Sequence, residues 1–110
     1  MAEEEQAVRA VRLSPDDNVA TLLAAVAKGG RCTIDSGTSQ LGELVANEAI
    51  DFGHKVALTD LDEGDRIMKY GQPIGLATVP ISRGDHVHVH NITGLRAVGI
   101  SPGESVELEV

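Results

Sequence analysis

The sequence predicts a mainly β domain of short strands in bent hairpins, with little helix. Two observations carry this reading. A tight-turn pattern recurs along the chain, and the segments between the turns have the length and the apolar alternation of strands.

The turn pattern is an apolar residue, two variable residues, then Gly, usually followed by a polar residue. Its copies are Val26-Ala27-Lys28-Gly29, Ile50-Asp51-Phe52-Gly53-His54, Leu61-Asp62-Glu63-Gly64-Asp65, Ile81-Ser82-Arg83-Gly84-Asp85 and Ile100-Ser101-Pro102-Gly103-Glu104. Gly supplies the positive φ that closes such turns, and Asp, Ser and Pro suit the positions before it. The glycines are unevenly spaced, so they punctuate strands and do not mark a solenoid.

Taken in order, residues 7–13 alternate, with Val11 and Leu13 opposite Arg12. Residues 14–27 are ambiguous. Ser14-Pro15-Asp16-Asp17 has the capping residue, first-turn proline and acids of a helix start, whereas residues 19–23 read equally well as a buried strand. Residues 35–43 read as a polar, Gly-containing loop, either a lid or a mobile connection. Strands are expected over residues 55–59, 73–79, 85–91 and 105–110; the last alternates Val106, Leu108 and Val110 with Glu107 and Glu109.

The chain has 110 residues, which bounds it to one small domain. It is 42% hydrophobic, yet Phe52 and Tyr70 are its only aromatic residues, so the core is aliphatic and offers no stacking platform for bases. There are 17 acids and 9 bases, for a net charge of −8, which disfavours a nucleic-acid backbone as partner. Much of that charge sits at the ends: residues 7–103 hold 11 acids against the 9 bases, leaving a body at −2 that need not repel an anionic substrate. Cys32 is the only cysteine, which excludes an internal disulfide framework and reads as a small buried residue. The longest apolar run, residues 19–27, is far short of the roughly 20 residues a membrane span needs. A cytoplasmic protein with no membrane partner is the expectation, with an acidic disordered tail over residues 1–6, a domain over 7–92 and a C-terminal extension over 93–110 that carries a short strand.

The chemistry concentrates in Asp85-His86-Val87-His88-Val89-His90-Asn91. On a regular strand His86, His88 and His90 share one face while Val87 and Val89 point into the core. Neutral imidazole is a common ligand of first-row metals, and side chains two apart on a strand can share an ion. His86 and His90 stand about 13 Å apart on an extended strand, so a third ligand requires a bent strand, His54 or another chain. A solvated polar face is the alternative. A second cluster, Lys69-Tyr70-Gly71-Gln72-Pro73-Ile74-Gly75, places a cation, a phenol and an amide on a bent backbone, which suits either a small anion or an ordinary solvated turn.

Three motifs in this order and spacing, Gly53-His54-Lys55-Val56-Ala57-Leu58, the Lys69 to Gly75 cluster, and Gly84-Asp85 through Asn91, resemble the N-terminal SAF domain of the altronate and galactarate dehydratase family. Asp17-Asn18-Val19-Ala20 is similar to an early motif of the same domain, and the pattern also resembles the small subunit of sulfolactate sulfo-lyases. The resemblance covers roughly residues 8 to 92. It implies a β-clip fold and a strand over residues 19–23. It also implies β-elimination of water, or of sulfite, from a sugar acid or hydroxy acid, a carbon-oxygen lyase reaction in the first case, assisted by Fe2+ or Mn2+.

By position, the resemblance suggests His86, His88 and His90 as metal ligands and His86, His88 and His54 as acid/base groups, with Lys55, Lys69, Tyr70 and Gln72 orienting the acid. The catalytic bulk of the fused dehydratases is absent from this chain. The chain is therefore expected to be a small subunit or fragment, inactive alone, that works with a large catalytic subunit, with a homo-oligomer also possible. A non-catalytic module that binds a sugar acid or a partner protein is the competing expectation.

Overall fold

A computed structural model describes residues 7–94, in which nine strands and no helix occur: β1 (Val8–Val11), β2 (Val19–Leu22), β3 (Arg31–Asp35), β4 (Gln40–Val45), β5 (Lys55–Ala57), β6 (Arg66–Lys69), β7 (Gln72–Ala77), β8 (His86–Val87) and β9 (Ile92–Gly94). The mainly β class is as predicted, and the ambiguous stretch after Ser14 resolves as strand β2. The expected acidic tail over residues 1–6 and strand over 105–110 lie outside the described residues.

Six strands form one sheet in the order β4-β3-β1-β2-β5-β8, and three form a second in the order β6-β7-β9. The pair β1–β3 is parallel; the other pairs are antiparallel. Because side chains alternate faces, the register separates two cores on the two sides of the large sheet. One side carries Ala10, Ala20, Leu22, Cys32, Ile34, Leu44 and Val56, closed over by Val26 and Ile50. The other carries Val19, Ala57 and Val87, packed against Leu61, Ile67, Ala77 and Ile81.

The recurrent turns explain how so short a chain closes both cores. In the four copies within the described residues the glycine has φ between 84° and 92°. Each turn is closed by a hydrogen bond from the residue after the glycine to the carbonyl three residues earlier, as in Gly30 N–H to Ala27 O, His54 to Asp51, Asp65 to Asp62 and Asp85 to Ser82. This is the type II pattern. The apolar residues that open the copies then pair across the molecule as two reciprocal antiparallel bridges, Val26 with Ile50 and Leu61 with Ile81, and all four are buried. Each motif therefore supplies a corner and a core plug together.

The Asp17-Asn18 pair ties the two sheets together. Asn18 Nδ2 donates to Arg66 O at 2.8 Å and its Oδ1 accepts from Met68 N–H at 2.8 Å, so the amide pairs with β6 as a strand would. The buried Asp17 carboxylate accepts from Tyr70 N–H and Gly71 N–H, both at 2.8 Å, and from Ser14 N–H at 3.3 Å. It pins the two-residue turn of the β6–β7 hairpin, in which Tyr70 (φ 57°) and Gly71 (φ 75°) are both left-handed, the type I′ signature.

Three local expectations are corrected. The loop expected over residues 35–43 shrinks to 36–39, because β4 begins at Gln40 and pairs with β3. As an edge strand with only Leu44 buried, β4 carries little apolar signal. Asp35 closes that short loop: its Oδ1 accepts from Gly37 N–H at 2.9 Å, and the carboxylate takes both Nε and Nη2 of Arg9, at 2.8 and 3.2 Å. Leu13, expected to share a strand face with Val11, lies beyond the end of β1 and is exposed. The third correction concerns the histidine strand and shapes the site.

Candidate functional site

Strand β8 is two residues long: extended structure ends at Val87, His88 lies in a bend, and residues 89–91 turn back toward β9. Val87 is fully buried as expected, but Val89, expected in the core, is 78% exposed. The cause is Asn91. Its Nδ2 donates to His86 O at 2.8 Å and its Oδ1 accepts from His88 N–H at 3.0 Å, while Asn91 N–H donates to His88 O at 3.1 Å. These bonds replace a straight continuation of the strand.

The bend moves His90 off the shared face and brings His54 in. His54 closes the Asp51–His54 turn ahead of β5, and β5 is the strand that pairs with β8, with Val56 opposite His86. The imidazoles of His54, His86 and His88 lie nearly parallel, with planes 10° to 12° apart and centroids separated by 5.1 Å (54–86), 3.6 Å (54–88) and 5.6 Å (86–88). His54 Nδ1 is 2.9 Å from His86 Nε2. One ring nitrogen from each residue lies within 4.8 Å of the others. The exposed His90 stands aside, its ring 4.8 Å from that of His86 and tilted by 40°.

The electrostatics favour neutral rings. Burial chiefly, then the charges of His90 and His54, pulls the His86 pKa down against the opposing pull of Glu48. His88 is lowered by burial and then by His54, Lys55 and His90, opposed by Asp51. Metal ligation requires neutral imidazole, so both shifts suit a ligand role. Among the described residues His88 Nδ1 is buried with no hydrogen-bond partner, a loss that a bound cation would offset. Two nitrogens at metal–nitrogen distances of roughly 2.1 Å can be no more than about 4.2 Å apart, and each lone pair lies in its ring plane, so sharing one ion requires His54 and His88 to turn out of their face-to-face stack.

The second cluster approaches the first through Lys55. This residue is half-buried, and its pKa is lowered by burial and then by the charge of Lys69. Its own charge acts on His88. Lys69 Nζ sits 4.8 Å from the centre of the Tyr70 ring, and Gln72 is exposed opposite Lys69 across the hairpin turn. Sequence reading passed over Glu48, whose Oε2 accepts from His86 N–H at 3.0 Å, and gave Asn91 no role. For Asn91 the available signal was its place at the end of the histidine run, since Asn favours turns.

Over the described residues the molecule is an all-β domain that presents a cluster of three imidazoles at the edge of its larger sheet. The chain belongs to the altronate/galactarate dehydratase SAF domain family, whose sequence model matches residues 8–95. It is 43% identical over 81 residues to the altronate dehydratase of Escherichia coli (strain K12), an alignment covering 74% of this chain and 15% of that protein. The altronate dehydratase of Bacillus subtilis (strain 168) is 41% identical with the same coverage. The (2R)-sulfolactate sulfo-lyase subunit alpha of Paracoccus pantotrophus is 42% identical over 60 residues, covering 54% of this chain and 88% of that subunit. The chain thus spans 15% of the length of the altronate dehydratases it matches. Among the described residues no helix is long and apolar enough to cross a membrane.

Proposed function

We propose that this chain is the SAF-domain component of a cytoplasmic, metal-dependent lyase that dehydrates a sugar acid such as altronate or galactarate by β-elimination, acting with a large catalytic subunit. The observation that carries this reading is the convergence of His54, His86 and His88 in a domain of the dehydratase family. These three residues would hold a divalent ion, Fe2+ or Mn2+. When bound, such an ion polarises the acid's carboxylate and hydroxyl and stabilises charge that develops as the proton next to the carboxylate leaves.

The chain's own residues supply recognition and proton transfer. Lys55 and Lys69 draw the anionic carboxylate toward the trio, and Tyr70 and Gln72 offer hydrogen bonds to its hydroxyls. The fold holds these four on β5 and the β6–β7 hairpin, so the acid is oriented by rigid elements. His90, exposed and outside the trio, is the group left to carry a proton to or from the substrate.

The test is reconstitution. Mixed with its cognate large subunit, Mn2+ or Fe2+ and the hydroxy acid, the chain restores elimination; an unchanged rate on its omission overturns the proposal and favours a non-catalytic binding module. A second reading, a sulfo-lyase small subunit, is supported by the 88% of the Paracoccus alpha subunit that the chain covers. Release of sulfite from sulfolactate in the same assay, without dehydration of hexonates, selects it.

A further inference from the structure

We propose that Asn91 is the positioning residue of the histidine trio, its carboxamide serving as the missing neighbour of edge strand β8 and setting the angle at which His86 and His88 face His54. Among the described residues, strand β8 ends the six-stranded sheet and pairs only with β5, so its outward backbone groups at His86 and His88 meet no further described strand. Side chains take that place. Glu48 accepts from His86 N–H, and Asn91 serves His86 O and His88 N–H together, at 2.8 and 3.0 Å.

A primary amide has both a donor and an acceptor, so it mimics the peptide unit an adjacent strand would offer. The residue is itself held: Asn91 is 7% exposed, and its backbone carbonyl accepts from Thr78 N–H, just beyond β7, at 3.0 Å. Removing the carboxamide leaves a part-buried carbonyl and N–H without these partners beside the rings, and among the described residues no other side chain bonds both His86 and His88 across the bend. Asn91 ligates nothing itself; it acts through the two histidines.

The metal arm of the test rests on the function proposed above, and a second arm does not. In the metal-free protein, histidine ring protons in the His54–His88 stack carry upfield ring-current shifts by NMR, and Asn91→Ala abolishes them. In the metal arm, Co2+ alone is titrated into the full chain and followed by its visible absorption. Asn91→Ala weakens Co2+ binding about tenfold to a hundredfold, the usual cost of losing a group that orients a ligand. Asn91→Asp, equal in size, keeps the acceptor for His88 N–H and loses the donor to His86 O, and gives an intermediate loss. It decides the matter if the alanine variant does not fold. Ring shifts and Co2+ affinity equal to the wild type in a folded variant overturn the inference. A wild-type chain that binds no Co2+ overturns the metal reading instead, and the ring shifts then judge Asn91 alone.

Discussion

The imidazoles of His54 and His88 lie face to face, centroids 3.6 Å apart and planes within 10°, although one belongs to a turn before β5 and the other to a bend after β8. Neither position is an ordinary strand site. The stack exists because β5 and β8 are paired, which carries the turn at one end of β5 to the bend at one end of β8. Parallel rings so close are poor hosts for two positive charges, and this governs how the site responds to protons and to cations.

Stability of the metal-free protein should rise with pH through the histidine range. His86 and His88 both have native pKa values below their ordinary value. Between those lowered values and about 6.5, the unfolded chain binds protons that the native state refuses. The contribution is complete above about pH 6.5 and is lost as pH falls toward the native values. Asp35, held low by Arg9, loses its contribution only in the carboxylate range below that. Urea midpoints measured between about pH 7.5 and pH 5 check this, and midpoints that stay level or increase toward acid would contradict it.

Cation binding should separate His54 from His90. With Mn2+ at about a hundred times its Kd, a specific site adds about 2.7 kcal/mol to the stability of the folded chain. His54→Ala removes a member of the trio and should abolish that increment, whereas His90→Ala should keep most of it. Thermal melts with and without Mn2+ read the difference. The opposite ranking would return the ligand set to His86, His88 and His90.

Tyr70 occupies a left-handed position that favours Asn or Gly, at φ 57°. Tyr70→Asn should therefore stabilise the domain by about 0.5 to 1 kcal/mol, since the strain outweighs the exposed contact with Lys69. In the reconstituted lyase the same variant should raise KM for the acid. A urea titration and a substrate titration check the two halves separately; a loss of stability would mean that the Lys69–Tyr70 contact holds the hairpin.

Gly64 and Gly84 form a matched pair, both at φ 92°. A Cβ at Gly64 meets nothing within 4 Å, while one at Gly84 would lie 2.6 Å from Val45 O. Gly64→Ala should cost roughly 1 to 2 kcal/mol, the strain of the left-handed backbone alone. Gly84→Ala should cost clearly more, because the turn must also pull away from β4. Equal urea midpoints for the two variants would show that the turn shifts freely.

The amino-acid sequence by itself determined the β class and the turn system, because these are written in local chemistry. Gly is the residue that closes a positive-φ turn, and the apolar residue three positions before it has one destination, the core. The recurrent motif could be read without knowing that Val26 would bridge Ile50 or Leu61 would bridge Ile81. The concentration of imidazoles in residues 86–90 was legible in the same way, from composition and strand alternation. Its geometry was not. Alternation assumes a strand that continues, and β8 stops because Asn91, on the return turn, supplies the hydrogen bonds another strand would have made. That bond set exposes Val89, turns His90 aside and lets His54 in from a neighbouring strand's turn. Only the tertiary structure decided which three imidazoles meet, since the deciding contacts join residues whose pairing no local periodicity records.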